Sequence, residues 1–318
     1  TTKYGIPIEI KDFRRVTCDF DINVKEENKR SIEEYILFDV GEKSYLEPIT
    51  DEKKSFRVTC YNPDRLAESH KKGKHIYCIT KELFDCDTVI TIPKIKTHQK
   101  TGITNAMKIL VGINGDKDFL PHHRKGGSKT GDCYPGTHPL RNLSETILDE
   151  ANRHIGEWQY PLLSTLSKIC WKLSFPTKEH NLAAGWYGND TTWRMVFDIN
   201  AIALYGKSDG SMSETPQRQI YSLCDGIIGG QGNGPLNPEP LSLGILAFTN
   251  KAMLMDVVVG HLFKLEIDKV PLLKTANKEI QQNSLQVKVN NENVLMSDLS
   301  QWAVDVVLPP GWINYKKA

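Results

Sequence analysis

The sequence predicts an α/β protein: a layered, mixed or parallel sheet with helices on both faces and a β-rich N-terminal portion. Three observations carry this. Apolar, β-branched runs alternate with helix-length segments along most of the chain, the order expected of strands joined by crossover helices. "DTVITIPKI" (87–95) is apolar at successive positions, as a strand buried on both faces would be. Residues 1–75 instead hold short β-prone runs between charged turns. The 318 residues can bury one large core and contain no internal repeat or low-complexity tract. One domain over 1–318 is expected, β-rich over 1–75 and an α/β core over 76–318.

The elements follow in order. "IPIEIKDF", "EYILFDV" and "SFRVTCY" are the first strands. Asn62 is placed to cap a helix whose first position is Pro63. "KHIYCI" is a strand and "TKELFDC" a short helix capped by Thr80. After "DTVITIPKI" comes the loop "KTHQKTG", then a short helix "ITNAMKILVG" stopped by Gly112. Residues 113–139 are dense in glycine and proline and read as a long functional loop. Residues 140–174 are helical with a break at Pro161. "GNDTTWRMVFDINAIALYG" is a helix capped by Asn189 or Asp190 and closed by Gly206. "QIYSLCDGIIGG" and "LSLGILAFTN" are core strands, the second leading into the helix "KAMLMDVVVGHLF". "VPLLKTANK" is helical and "LQVKVNNENVLM" returns to strand.

A net charge of +1 excludes a general nucleic-acid binder, because phosphate neutralisation needs a broad basic excess. The seven cysteines, at 18, 60, 78, 86, 133, 170 and 224, include no C-x-x-C pair. That rules out a zinc ribbon or an iron–sulfur run. Their scatter predicts reduced thiols in a cytoplasmic protein. The opening "TTKYGIPIEIKD" lacks a secretion-signal layout. The most apolar run, 252–263, is too short to span a bilayer and carries Asp256. No membrane partner is expected. The missing initiator methionine predicts a processed chain or a piece of a longer one.

Any charge-driven recognition must therefore be local, and one stretch concentrates it. Between Lys94 and Lys129 stand eight Lys or Arg, three His and only two Asp. Lys94, Lys96 and His98 would emerge at the carboxyl end of a sheet strand, where α/β proteins bind ligands. Thr101, Gly102 and Thr104 of "TGIT" would open a helix whose free amides attract an anion. Lys108, Lys117 and Arg124 extend the cationic rim. This is no Walker loop, since "HQKTGITN" lacks the required order. A phosphate or carboxylate site is the sharper reading; a solvated loop kept soluble by its lysines is the plainer one.

His122 and His123 are candidates for proton transfer, because imidazole titrates nearest neutral pH. With Asp132 and Cys133 nearby they are equally candidates for metal ligands, or they only bond the loop backbone. Asp225 interrupts an apolar strand, where an unpaired carboxylate is costly. It precedes Gly229, Gly230, Gly232, Asn233 and Gly234, whose glycines let a ligand approach or merely fold a strained turn. The spacing does not match a dinucleotide fingerprint, so no cofactor is named. Asp198 and Asp256 also interrupt apolar helix faces; each is a buried hydrogen-bond partner or an orienting acid.

The blocks "DTVITIPKIKTHQKTGITNAMKILVGINGDKDFLPHHRKG", "GDCYP", "WYGNDTTWRMVFDINAIALYG" and "CDGIIGGQGNGPLNPEP", in that order, resemble the bacterial and archaeal family named domain of unknown function 362. The resemblance spans about 87–240, and "YNPDRL" and "PLL" also fit. It implies no settled reaction. Some relatives carry ferredoxin-like modules, for which this chain lacks the cysteines. Relatives usually place Asn at position 109, an acid at 133 and Glu at 231, where this chain has Ile109, Cys133 and Gln231. They also tend to begin with a further α/β segment, so a truncated product, or a site completed by a second chain, is implied.

Three functions remain open on the sequence. The first is an enzyme on an anionic small molecule held by Lys94, Lys96 and Lys108, with His122 or His123 moving a proton and Asp225 orienting. The second is a metal-dependent or redox enzyme using His98, His122, His123 and acids. The third is a non-catalytic binding protein that has lost family acids.

Overall fold

The computed structural model of the chain describes residues 5–19, 24–27, 30–52, 55–59, 61–174, 184–280 and 287–317. Cys60, and residues 285 and 286 read above as the start of a strand, lie outside them. The N-terminal portion is β-rich but divided among small sheets. β1 (Val16–Asp19) pairs antiparallel with β2 (Val24–Glu27). β3 (Tyr35–Asp39) and β4 (Phe56–Arg57) follow. In α1 (Pro63–Ser69) the Asn62 side chain accepts the amides of Asp64 and Arg65, the cap the sequence called for. β5 (His70–Lys71) and β6 (Lys74–Thr80) form a hairpin whose second strand also pairs with β3. "IPIEIKDF" forms no strand. Ile6, Ile8 and Ile10 stand exposed, because alternation stabilises a strand only where a neighbour accepts its hydrogen bonds and its apolar face. "TKELFDC" yields a single 3₁₀ turn, Lys81–Leu83.

β7 (Thr88–Thr91) and β8 (Lys94–His98) divide "DTVITIPKI" at Pro93, which cannot donate to a ladder. β9 (Gly102–Thr104) folds back on β8, and α2 (Ala106–Ile109) is one turn continued by a 3₁₀ turn, Leu110–Ile113, that contains Gly112. β10 (His123–Arg124) pairs with β4. α3 (Pro139–Arg153) and α4 (Gln159–Leu173) pack as a pair. Pro161 lies in the first turn of α4, where no helical N–H is needed, so the break falls earlier, around left-handed Gly156. α5 (Thr192–Tyr205) starts after Thr191, whose neighbour Asn189 accepts the Thr192 amide at 2.9 Å. β11 (Gln219–Asn233) and β12 (Asn237–Thr249) form a long hairpin. α6 (Ala252–Leu262), α7 (Pro271–Glu279) and the hairpin of β13 (Val287–Val289) with β14 (Glu292–Val294) complete the described elements.

The α/β class is present. The central sheet runs β12–β11–β8–β9, with β7 also beside β11. It is mixed: β11 is antiparallel to β12 and parallel to β7 and β8. Its inner face buries Ile95 and Cys224 and packs Leu243 and Ile245 onto a core with Met107, Phe197 and Val257 of the helices. The outer face is open. Ile90, Ile92, Ile227, Leu246 and Phe248 are each more than half exposed, and Phe248 stacks on Tyr221 with centroids 5.5 Å apart. Helices therefore cover one face, among the described residues, and "DTVITIPKI" is buried on one side only. Its apolar pattern signalled two covered faces; the second carries no helix here. No described helix is long and apolar enough to cross a membrane.

Candidate functional site

β8 delivers the first cations, though in a strand rather than the expected loop. His98 is its last residue, buried, and its Nδ1 accepts the amides of Lys100 at 3.0 Å and Thr101 at 3.2 Å. An accepting Nδ1 leaves the ring proton on Nε2, so His98 is a donor at its outer nitrogen. "TGIT" does not open a helix: Gly102–Thr104 is β9, and Thr101 turns its hydroxyl onto the Ile103 carbonyl at 2.9 Å. The Thr104 hydroxyl is buried and unbonded. The helix begins at Ala106, and Asp256 of α6 accepts its Ala106 and Met107 amides. The amides proposed for an anion are thus taken by β-pairing and by an internal carboxylate.

The lysines do converge. Burial, then Lys108, Lys100, His122 and Lys96, hold the His98 imidazole well below its ordinary range. Burial lowers Lys108 to about 8, helped by repulsion from Lys100, Lys96 and Lys117. Lys100, which no motif pointed to, is likewise lowered to about 8 by burial. Lys96 donates to the Pro235 carbonyl at 3.1 Å, and Lys117 lies 5.3 Å from the Tyr61 ring. Among the described residues neither Lys100 nor Lys108 has an ion-pair partner. The two acids of the basic stretch turn elsewhere: Asp116 pairs with Arg15 at 2.7 Å, and both Asp116 and Asp118 face Arg65.

The two adjacent histidines differ. Nδ1 of His122 donates to the Leu120 carbonyl at 2.8 Å, which leaves a lone pair on Nε2. Burial and then Lys100 and Lys108 keep that ring neutral, well below its usual pKa. His123 lies in β10, fully buried, with no hydrogen-bond partner on either nitrogen. It faces Glu145 of α3, Nε2 to Oε1 being 3.8 Å. Cys133 adjoins both, so His123, Cys133 and Glu145 bring three metal-competent donors within 4.8 Å of one another. Arg57 of β4 holds the acids in place, reaching Glu145 at 2.6 Å and Asp149 at 2.7 Å, and Lys125 adds a second cation on Asp149 at 2.8 Å. Glu145, Asp149 and Arg57 were missed from the sequence. Glu145 and Asp149 lie four residues apart on α3, but their cation comes from β4, and no sequence spacing links the two elements.

Other expected site residues have structural partners. Asp225 pairs with Lys94 across the β11–β8 register, on the open sheet face. Arg124 lies 3.8 Å from both Asp132 and Asp190. Asp132 also accepts the Thr191 hydroxyl at 2.6 Å, tying the basic loop to α5. Gly229, Gly230 and Gly232 belong to β11 itself and Gly234 to the turn after it, and most serve close strand packing. A Cβ at Gly229 would sit 2.8 Å from the Ile95 carbonyl, at Gly230 2.9 Å from Lys96 Cβ, and at Gly234 2.0 Å from the Thr97 carbonyl. Gly232 is left-handed, with φ +70°, and its carbonyl accepts Thr97 Oγ1 at 3.0 Å. Asn233 meets Gln99 at 3.3 Å. Asp198 is a structural acceptor for Ser44, the Tyr45 amide and Tyr77. A separate cavity of about 490 Å³, lined by Leu254, Val257, His261, Ile280 and Met296, touches none of the converging cations.

Comparison with curated proteins and with solved structures finds no match. A family model does match, over residues 35–260, a span from β3 into α6 that contains the converging cations, His122, His123, Cys133 and Glu145. The chain accordingly belongs to the family described as domain of unknown function (DUF362).

Proposed function

We propose that the chain binds an anionic small molecule, phosphorylated or carboxylated, among Lys96, His98, Lys100, Lys108, Lys117 and His122. The observation that carries this reading is that Lys100 and Lys108 are both half-buried, with Lys100 repelling Lys108, and neither has an ion-pair partner among the described residues. Asp132 attracts Lys100 without pairing with it. Partly desolvated cations outside an ion pair are unfavourable until an anion arrives. The two imidazoles divide the work: His98 presents a donor at Nε2 and His122 a basic lone pair. His122 is the group that would take a proton from the bound molecule, making this an enzyme site of acid–base type. A cytoplasmic setting is supported by Cys78, Cys86, Cys133, Cys170 and Cys224, all free.

The test is thermal denaturation of the full chain with inorganic phosphate, pyrophosphate or citrate. A concentration-dependent rise in melting temperature, abolished in Lys100→Met and Lys108→Met, is expected. No rise with any of the three, in protein shown to be folded, overturns the reading.

A further inference from the structure

We infer that His123, Cys133 and Glu145 form a site for a divalent transition metal, zinc in the first instance, with three protein ligands and one open position. The geometry is already near that of a bound ion. Ligand atoms about 2.1 Å from a tetrahedral zinc stand roughly 3.4 Å apart, and His123 Nε2 and Glu145 Oε1 are 3.8 Å apart. All three side chains are buried.

The second observation is independent of that clustering. His123 is fully buried, yet neither ring nitrogen has a hydrogen-bond partner. A buried polar group left so is costly, and a metal at Nε2 would satisfy one of the two nitrogens. The donor set is imidazole, thiolate and carboxylate, which suits zinc or ferrous iron and disfavours magnesium and calcium, since these prefer oxygen alone.

The charges also balance. Arg57 and Lys125 offset Glu145 and Asp149 one for one, so burial leaves Cys133 a neutral thiol, held well above its ordinary pKa. On binding, the ion displaces the Cys133 proton to solvent and forms a metal–sulfur bond, which adds one net positive charge. A hydroxide or an anionic ligand in the open position would cancel it. Arg57 is the positioning residue, fixing Glu145 through its guanidinium. Cys133 and Asp132 lie within electrostatic reach of Lys100, so this centre borders the cation cluster, but the inference does not rest on anion binding there.

The experiment uses the full chain, stripped with chelator and titrated with cobalt(II), followed by absorbance and elemental analysis. One cobalt per chain is expected, with a sulfur-to-cobalt charge-transfer band that one equivalent of zinc removes. Cys133→Asp should keep the metal and lose the band, because oxygen replaces sulfur. His123→Ala should weaken binding by more than about a hundredfold, beyond the loss typical of an outer-shell change. Cys170→Ser, in α4, should alter neither. Wild-type protein that is folded by circular dichroism yet binds well under one cobalt per chain overturns the inference, as does a band that survives Cys133→Asp.

Discussion

Asp256, near the start of α6, accepts the Met107 amide at 3.4 Å and so places a buried carboxyl at the first turn of α2. Burial is the dominant influence on it and pushes its pKa up to about 7, against the pull of the Met107 and Ala106 amides. A raised folded-state value means that this group's stabilisation is complete below about 4 and is lost as pH rises through 7. Asp256→Asn keeps an acceptor oxygen and cannot ionise. Relative to wild type, it should gain on the order of 4 kcal/mol of stability between pH 4 and 8. Denaturant unfolding across that range checks this, and parallel curves would refute it.

Lys108 carries the opposite sign. Its pKa is lowered to about 8, so the charged form opposes folding at pH 7 and the opposition fades as pH rises above 8. Lys108→Met should therefore stabilise the ligand-free chain by roughly 1–3 kcal/mol at pH 7 and by less at pH 10. Phosphate affinity should fall in wild type over the same climb, and by about tenfold at pH 7 in the variant. Calorimetric titration at three pH values reads both effects.

Arg57 stands between Glu145 and Asp149, all three buried. Arg57→Met strands Glu145, leaves Asp149 with Lys125 alone, and should cost about 3–5 kcal/mol. Adding Glu145→Gln should recover part of that loss, because the stranded charge disappears. Urea melts of the single and double variants decide the point; a double variant no more stable than the single would refute the account.

Gly234 is packed so that a methyl group would overlap the Thr97 carbonyl, whereas a Cβ at left-handed Gly244 meets nothing within 4 Å. Gly244→Ala should cost about 1 kcal/mol from its backbone angle alone. Gly234→Ala should cost more, because the hairpin tip must lift from β8. Melting temperatures of the two variants, compared side by side, give the order.

Phe248 and Tyr221 stack on the uncovered sheet face beside exposed Leu246 and Ile90. Phe248→Ser should reduce binding of a hydrophobic dye with at most about 1 kcal/mol of destabilisation, since the ring is largely in water already. Unchanged dye fluorescence would count against an exposed patch.

Local signals were legible in the sequence. The Asn62–Pro63 start of α1, the continuous helix α5 and the step from β12 into α6 follow from caps and periodicity confined to a few neighbours. "TGIT" misled because four residues with one apolar side chain do not choose between strand and helix; pairing with Lys96–His98 chose strand. The glycines of β11 looked like a ligand loop because their true neighbours, Ile95 to Thr97, are more than a hundred residues earlier. The concentration of charge between 94 and 129 located the cationic region, but it could not rank the members. Lys94 went to Asp225 and Arg124 to Asp132 and Asp190, while Lys100 has no ion pair among the described residues.

The peptide N–H groups around "TGIT" are already engaged, by β8 and by Asp256. On the proposed reading, recognition falls to long ammonium arms that swivel toward charge wherever a guest carries it. A cradle of rigid main-chain donors would insist on one arrangement of oxygens. This one would sort its guests by valence and tolerate differences in outline, so sulfate, phosphate and dicarboxylates should compete for the same place.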